Sequence, residues 1–211
     1  RAGGLAVFSA GGILSENLIR DNEASWEAGG GRIQDSASVF ANNAIVGNRL
    51  TEGGEGSGLY VTTSSLTFLH TTLAGNSGGN GEGLRLDETG NVVTLTNSVV
   101  ADQDTGVVVD ENSSATLDGV LWYGNSANTD AAGTISVEHA HDGDPAFAAD
   151  GYHLLPGSAA IDAGIVTTVT TDIDGDARPL NYGFDLGADE YVGDLVPPEI
   201  VGREPAPGAT D

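Results

Sequence analysis

The densest set of hard metal ligands in this 211-residue chain is the run Asp172-Ile173-Asp174-Gly175-Asp176. Carboxylates at alternate positions around a glycine can wrap a hard cation such as Ca2+, which takes about six to eight oxygens. No Glu stands at the twelfth position of an EF-hand loop, and Asp and Gly also make tight, side-chain-capped turns. Asp172, Asp174 and Asp176 are therefore candidate Ca2+ ligands, with a capped turn as the competing reading; no cofactor is otherwise required. His139-x-His141, with Asp142 and Asp144, could hold a transition metal, or could simply be an exposed loop. Glycoside hydrolysis needs two carboxyl groups about 5–9.5 Å apart, but among 31 acidic residues proximity alone says little. The chain has no Asp-Asp pair and no Gly-His-Gly or Arg-Ile-Lys element. Elimination beside a uronate needs a base and a cationic clamp; Lys is absent, and Arg20, Arg32, Arg49 and Arg85 are scattered. No residue is assigned a catalytic role, and the chain is read as not an enzyme.

These residues must be held by something, and an internal repeat says what. A glycine followed by a short β-branched or aliphatic strand recurs at Gly4, Gly31, Gly58, Gly83 and Gly106, spaced 27, 27, 25 and 23 apart. A second marker, an Asn or Asp three residues after an apolar one, recurs at Asn22, Asn48, Asn76, Asp102 and Asn125, spaced 26, 28, 26 and 23 apart. Two markers with one period indicate a repeat architecture. Each period holds about three short apolar strands separated by Gly, Asn, Asp and Ser, residues that tolerate left-handed corners. Strands this short, with no helical spacing between them, cannot make βαβ crossovers. Coiling lets each strand pair with its equivalent one turn later, stacking aliphatic side chains inside and corner amides along the axis. The expected fold is an all-β, three-sided parallel β-helix of about five to six coils. Asn22, Asn48, Asn76, Asp102 and Asn125 form its structural ladder. A β-sandwich also has frequent turn signals; the long period argues against it.

Seven basic residues, all Arg, oppose 31 acidic ones, for a net charge of −24. That balance argues against nucleic acid and against anionic membrane surfaces. Cys and Met are absent, so disulfides, thiol nucleophiles and thiolate metal sites are excluded. No apolar run approaches the about 18 residues of a membrane span. Residue 1 lies inside a patterned segment, so the N-terminus reads as a cut or processed end.

Beyond residue 143 the pattern changes. Asp144-Pro145-Ala146-Phe147, Gly151-Tyr152-His153-Leu154, Ser158 to Gly164, Asp172 to Pro179 and Asp185 to Tyr191 follow in order. This set resembles the C-terminal portion of choice-of-anchor Q proteins, β-helix surface proteins of bacteria and archaea. The resemblance covers residues 144–191 through specific motifs and residues 1–143 through the repeats. It implies a right-handed single-stranded β-helix with a loop-rich C-terminal closure and an extracellular location, and it supplies no activity. Within the closure, Asp162, Asp185 and Asp189 are expected to cap backbone, and Arg178 to pair with one of these carboxylates. Residues 192–211, with Pro197-Pro198 and Pro205-Ala206-Pro207-Gly208-Ala209-Thr210, look like a linker, an extended arm or the first strand of a bacterial Ig-like domain.

The functional expectation is an extracellular structural or adhesive module, a rigid acidic segment of a cell-surface, stalk or filament-forming protein. Its expected partners are itself, through end-to-end or arm-mediated assembly, or other surface proteins and glycans. A glycan-active or glycan-binding β-helix, of the polysaccharide lyase or hydrolase kind, is the alternative.

Overall fold

The computed structural model describes residues 2–88 and 90–193; the candidate arm or Ig-like strand lies, from residue 194 on, outside the described residues. The described residues contain strands and no helix, and every pairing between named strands is parallel. The chain winds as a three-sided β-solenoid. Side one stacks β1 (Leu5–Phe8), β5 (Gly31–Gln34), β9 (Leu59–Thr62), β12 (Glu82–Asp87), β14 (Thr105–Val109) and β16 (Ala127–Ala131). Side two stacks β2 (Gly11–Ser15), β6 (Ala37–Ala41), β10 (Ser65–Leu69), the first halves of β13 (Val92–Ala101) and β15 (Ser114–Tyr123), and β17 (Thr134–Glu138). Side three stacks β3 (Leu18–Arg20), β7 (Ala44–Val46), β11 (Thr72–Ala74), the second halves of β13 and β15, and β18 (His141–Asp142). A short pair, β4 (Glu23–Ala24) with β8 (Arg49–Leu50), braces one corner.

The period-two alternation of each strand sends one column inward. Val7, Ile33, Val61, Leu86 and Val109 stack on side one. Leu14, Phe40, Phe68, Leu95 and Leu117 stack on side two, where the Phe40 and Phe68 rings lie 4.9 Å apart. Ile19, Ile45, Leu73, Val100 and Trp122 fill side three. Most of these side chains are fully buried, so the core is a set of aliphatic ladders and needs few aromatics.

Most corners share one pattern. A residue with positive φ turns the chain, and the next residue sends a side-chain oxygen to the backbone N–H of the coil before it; Gln103, whose buried Oε1 has no partner among the described residues, departs from it. On the corner after side three, Asp21, Gly47, Gly75, Asp102 and Gly124 turn left-handed. Asn48 Oδ1 then accepts from Asn22 N, Asn76 Oδ1 from Asn48 N, and Asn125 Oδ1 from Gln103 N, at 3.0–3.1 Å. Asn22 and Asn48 also donate amide to amide up the stack, each at 2.9 Å. The expected ladder needs one correction: Asp102 stands at the left-handed position, in register with Gly75, and Gln103 occupies the rung between Asn76 and Asn125. The repeat glycines shift likewise. Gly30, not Gly31, shares a column with Gly4, Gly58, Gly83 and Gly106. At Gly58 an added Cβ would lie 2.2 Å from the Gly83 carbonyl oxygen, so this glycine is required by close stacking of coils rather than by its φ.

The expected closure, residues 144–191, does not cap the end of the solenoid. It runs as a strap along side three, across several coils. Phe147, Leu154, Ala160 and Leu186 pack on the outward faces of Ala74, Val99, Ala101 and Leu121, while Tyr152, Ile173 and Ala188 pack on Ala44 and Val46. Side three is therefore apolar on both faces, which a strict in-out alternation would not give.

Candidate functional site

Among the described residues, two polar clusters with the residue types of a functional site are partly enclosed by the fold, and a third, at His139, is largely exposed. The first lies on the outward face of side one, where Arg32, Tyr60 and Arg85 occupy one column on consecutive coils. Arg85, only 13% exposed in its side chain, meets Glu55 at 3.3 Å, Glu82 at 3.0 Å, Asp87 at 3.4 Å and Asp110 at 2.9 Å. The Tyr60 hydroxyl donates to Asp87, Arg32 pairs with Glu27, and the Arg32 guanidinium sits 5.2 Å from the Tyr60 ring centre. Burial, then the bond to Asp87, pushes the Tyr60 hydroxyl well above the ordinary phenol range. Burial and the neighbouring Asp87 push Asp110 up. Asp87 is held below the usual range: burial opposes this, but hydrogen bonds from Asp110 and Tyr60 and the charge of Arg85 prevail. A phenol that holds its proton is a poor general base, and a guanidinium ringed by carboxylates is not free to clamp a substrate anion. The cluster is built to tie coils together.

The second cluster lies in the strap. His153 Nδ1 is 2.5 Å from Asp150 Oδ2, and its Nε2 is 2.7 Å from Asp174 Oδ2. Asp189, 7% exposed, completes a group with His153 and Asp174 whose ligand atoms all lie within 4.8 Å of one another. Burial opposes the charging of His153, yet Asp150 and Asp174 raise its pKa to about 9. Burial raises that of Asp189 to about 6.

The three aspartates read from sequence as calcium ligands are adjacent but do not converge. Asp172 is fully buried. Its Oδ1 accepts the N–H groups of Asp174 at 2.9 Å and Asp176 at 2.8 Å, and its Oδ2 accepts that of Glu190 at 3.0 Å. Asp174 turns to His153 instead. The other strap acids also cap backbone: Asp162 accepts from Tyr182 and Gly183, Asp185 from Asp162 and Tyr191, and Asp189 from Leu154. Arg178 pairs not with these aspartates but with fully buried Glu190, at 2.8 Å, and donates to the Asp185 and Gly187 carbonyls. His139 bonds Asp118 at 2.7 Å, and Glu138 completes a group with them, while His141 lies in β18. Sequence reasoning missed His153. The Gly-Tyr-His-Leu motif flagged the residue, but its partners lie 21 and 36 positions downstream, across an irregular segment whose path no periodicity announces.

Left-handed corners, stacked amides and parallel ladders define a β-solenoid repeat protein. A family model described as right handed beta helix region matches residues 1–121, and the chain belongs to that family. The strap lies beyond the matched residues. No curated protein and no solved structure matches the chain.

Proposed function

We propose that the chain is a rigid, acidic structural and interaction segment of an extracellular surface, stalk or filament-forming protein, and not an enzyme. The observation that carries this is the closure of the side-one cluster: Arg85 binds four carboxylates drawn from successive windings, so the polar groups best placed for catalysis are spent on holding coils together. The resemblance of residues 144–191 to choice-of-anchor Q surface proteins supports an outward location, and among the described residues no helix is long and apolar enough to cross a membrane. Electron microscopy of the purified chain, paired with a screen of acidic and neutral polysaccharides, tests both halves. Stacked particles and no turnover are expected. Dispersed monomers alone would count against self-assembly, and new reducing ends or unsaturated uronates would overturn the non-enzymatic reading.

Glycan binding has one specific observation in its favour. A side-one hollow lined by Ala6, Phe8, Arg32 and Gln34 leaves the Phe8 ring 56% exposed beside a guanidinium, a surface on which a sugar ring could stack. Affinity electrophoresis in polysaccharide gels, with Phe8→Ala as control, reads this directly; equal mobility of both proteins in every gel removes it.

A further inference from the structure

We propose that His153, Asp174 and Asp189 form a binding site for a divalent transition metal of the zinc class, with Asp150 orienting the imidazole from behind. The three donors come from separate segments of the strap, and each is fixed by its own backbone. Asp150 Oδ1 accepts from Tyr152 N at 3.3 Å and His153 N at 3.2 Å, which sets the turn that carries His153. The Asp174 N–H donates to buried Asp172 at 2.9 Å. Asp189 Oδ2 accepts from Leu154 N at 2.7 Å. Thus Asp172, the residue most prominent in sequence, acts as a scaffold for the turn, and Asp174 is the one free to coordinate.

Geometry and donor type select the ion. Ligands about 2.0–2.1 Å from a tetrahedral zinc lie about 3.3–3.5 Å apart. The cluster spans at most 4.8 Å, and the 47% exposed Asp174 side chain, 2.7 Å from His153 Nε2, has room to move outward by the fraction of an ångström that an ion between them needs. An imidazole donor disfavours calcium, which takes oxygens, and suits zinc and its neighbours. A carboxylate on the far imidazole nitrogen is the usual support of a metal-bound histidine; here Asp150 holds that place at 2.5 Å. The independent observation is Asp189. More than nine-tenths of it is buried, it faces His153 and Asp174, and the positive charge nearest to it is the His153 imidazole, which Asp150 and Asp174 share. Buried carboxylates are costly without matched positive charge; one imidazolium faces the three carboxylates of Asp150, Asp174 and Asp189, and a dication in place of its proton would bring two charges to the same point. The Tyr152 ring, 4.1 Å from that of His153, walls one side; the partly exposed edges of His153 and Asp174 leave entry and a further coordination position open to water.

The test uses the whole chain, freed of metal by chelator dialysis and titrated with ZnCl2, CoCl2 and CaCl2. One equivalent of Zn2+ per chain should bind and raise the melting temperature, and Co2+ should give the intense visible bands of a low-coordinate site. His153→Gln should abolish both effects, Asp150→Asn should weaken binding about 10–100-fold, and a His139→Gln/His141→Gln double variant should bind like the parent. Should Asp189→Asn fail to fold, His153→Gln, at a partly exposed position, still decides the matter once circular dichroism shows it folded. The proposal is overturned by no zinc binding, by binding that survives in His153→Gln, by loss in the His139/His141 variant, or by calcium binding that His153→Gln leaves untouched. A destabilisation by His153→Gln that is equal with and without zinc would also overturn it, since His153 would then be only an ionic bridge between Asp150 and Asp174.

Discussion

At the scale of single residues, the strap is held by polar groups that have no access to water. His70 is fully buried, with φ of 48° at a corner that Asn42 and Asn97 turn on the coils either side. Its Nδ1 lies 3.2 Å from the Asp185 carbonyl, which can only accept, so Nδ1 carries the proton and Nε2 accepts from the Thr167 hydroxyl at 2.9 Å. Burial, with Arg178 nearby, lowers its pKa to about 3. A histidine kept neutral when folded but ordinary when unfolded costs stability as pH falls from about 6.5 toward 3, because the unfolded chain takes the proton first. The loss should reach on the order of 4 kcal/mol near pH 3. His70→Asn, suited to the same left-handed corner, should remove that part of the pH dependence. Denaturant midpoints of both proteins across this range check it, with the difference between the two curves cancelling the carboxylates. The pair Arg178–Glu190 behaves differently. Both side chains are fully buried, so Arg178→Ala leaves an uncompensated charge and should cost about 3–5 kcal/mol at neutral pH, measured by the same denaturation.

At the scale of elements, the corner ladder connects sequence to stability most directly. Fully buried Asn48 accepts from the Asn22 backbone and side chain and donates to Asn76 Oδ1 and the Ile19 carbonyl. Asn48→Ala strands several of these groups away from water at about 1–3 kcal/mol for each buried group left unsatisfied. A loss of roughly 3 kcal/mol is expected from equilibrium unfolding, against about 1–2 kcal/mol for Asn125→Ala, which at the partly exposed end of the stack frees the Gln103 N–H and one bond to the Val100 carbonyl. The ladder was legible because its corner recurs with the coil; so were the glycine column and the aliphatic ladders. What was not legible follows from the same logic. Asp102 matched the marker, but Gln103 stands on the rung, joined to the ladder through its backbone N–H to Asn125, and spacing alone cannot separate two adjacent polar residues. Two further corners, built on Asn17 and Asn43 and on Ser36, Ser64, Asn91 and Ser113, use a changing set of short polar residues and leave no single-letter signature. The strap has no repeat, so its motifs could be noticed but not placed.

At the scale of the molecule, the strap changes what kind of object a solenoid is. Stacked coils contact only their neighbours, so such arrays open from the ends, one unit at a time. Here a second segment crosses the stack. Asn42 donates to the Thr171 carbonyl at 2.7 Å, Thr72 Oγ1 accepts from Ala188 N at 2.9 Å, and Asn97 both donates to and accepts from Ile165, at 2.7 and 2.8 Å. Between these bonds, Leu186 sits fully buried among Ala74, Val99, Ala101 and Leu121. Opening any one coil therefore strains contacts made to the others, and side three should exchange its amide hydrogens as one unit. Leu186→Ala removes the central contact. It should cost about 2–5 kcal/mol by the usual cavity penalty, and it should also loosen the coupling. In native-state hydrogen exchange, β7, β11 and the second half of β13 should share one opening free energy in the parent and separate into distinct values in Leu186→Ala. Separate values in the parent protein would mean that the strap rests on the coils without binding them into one cooperative body.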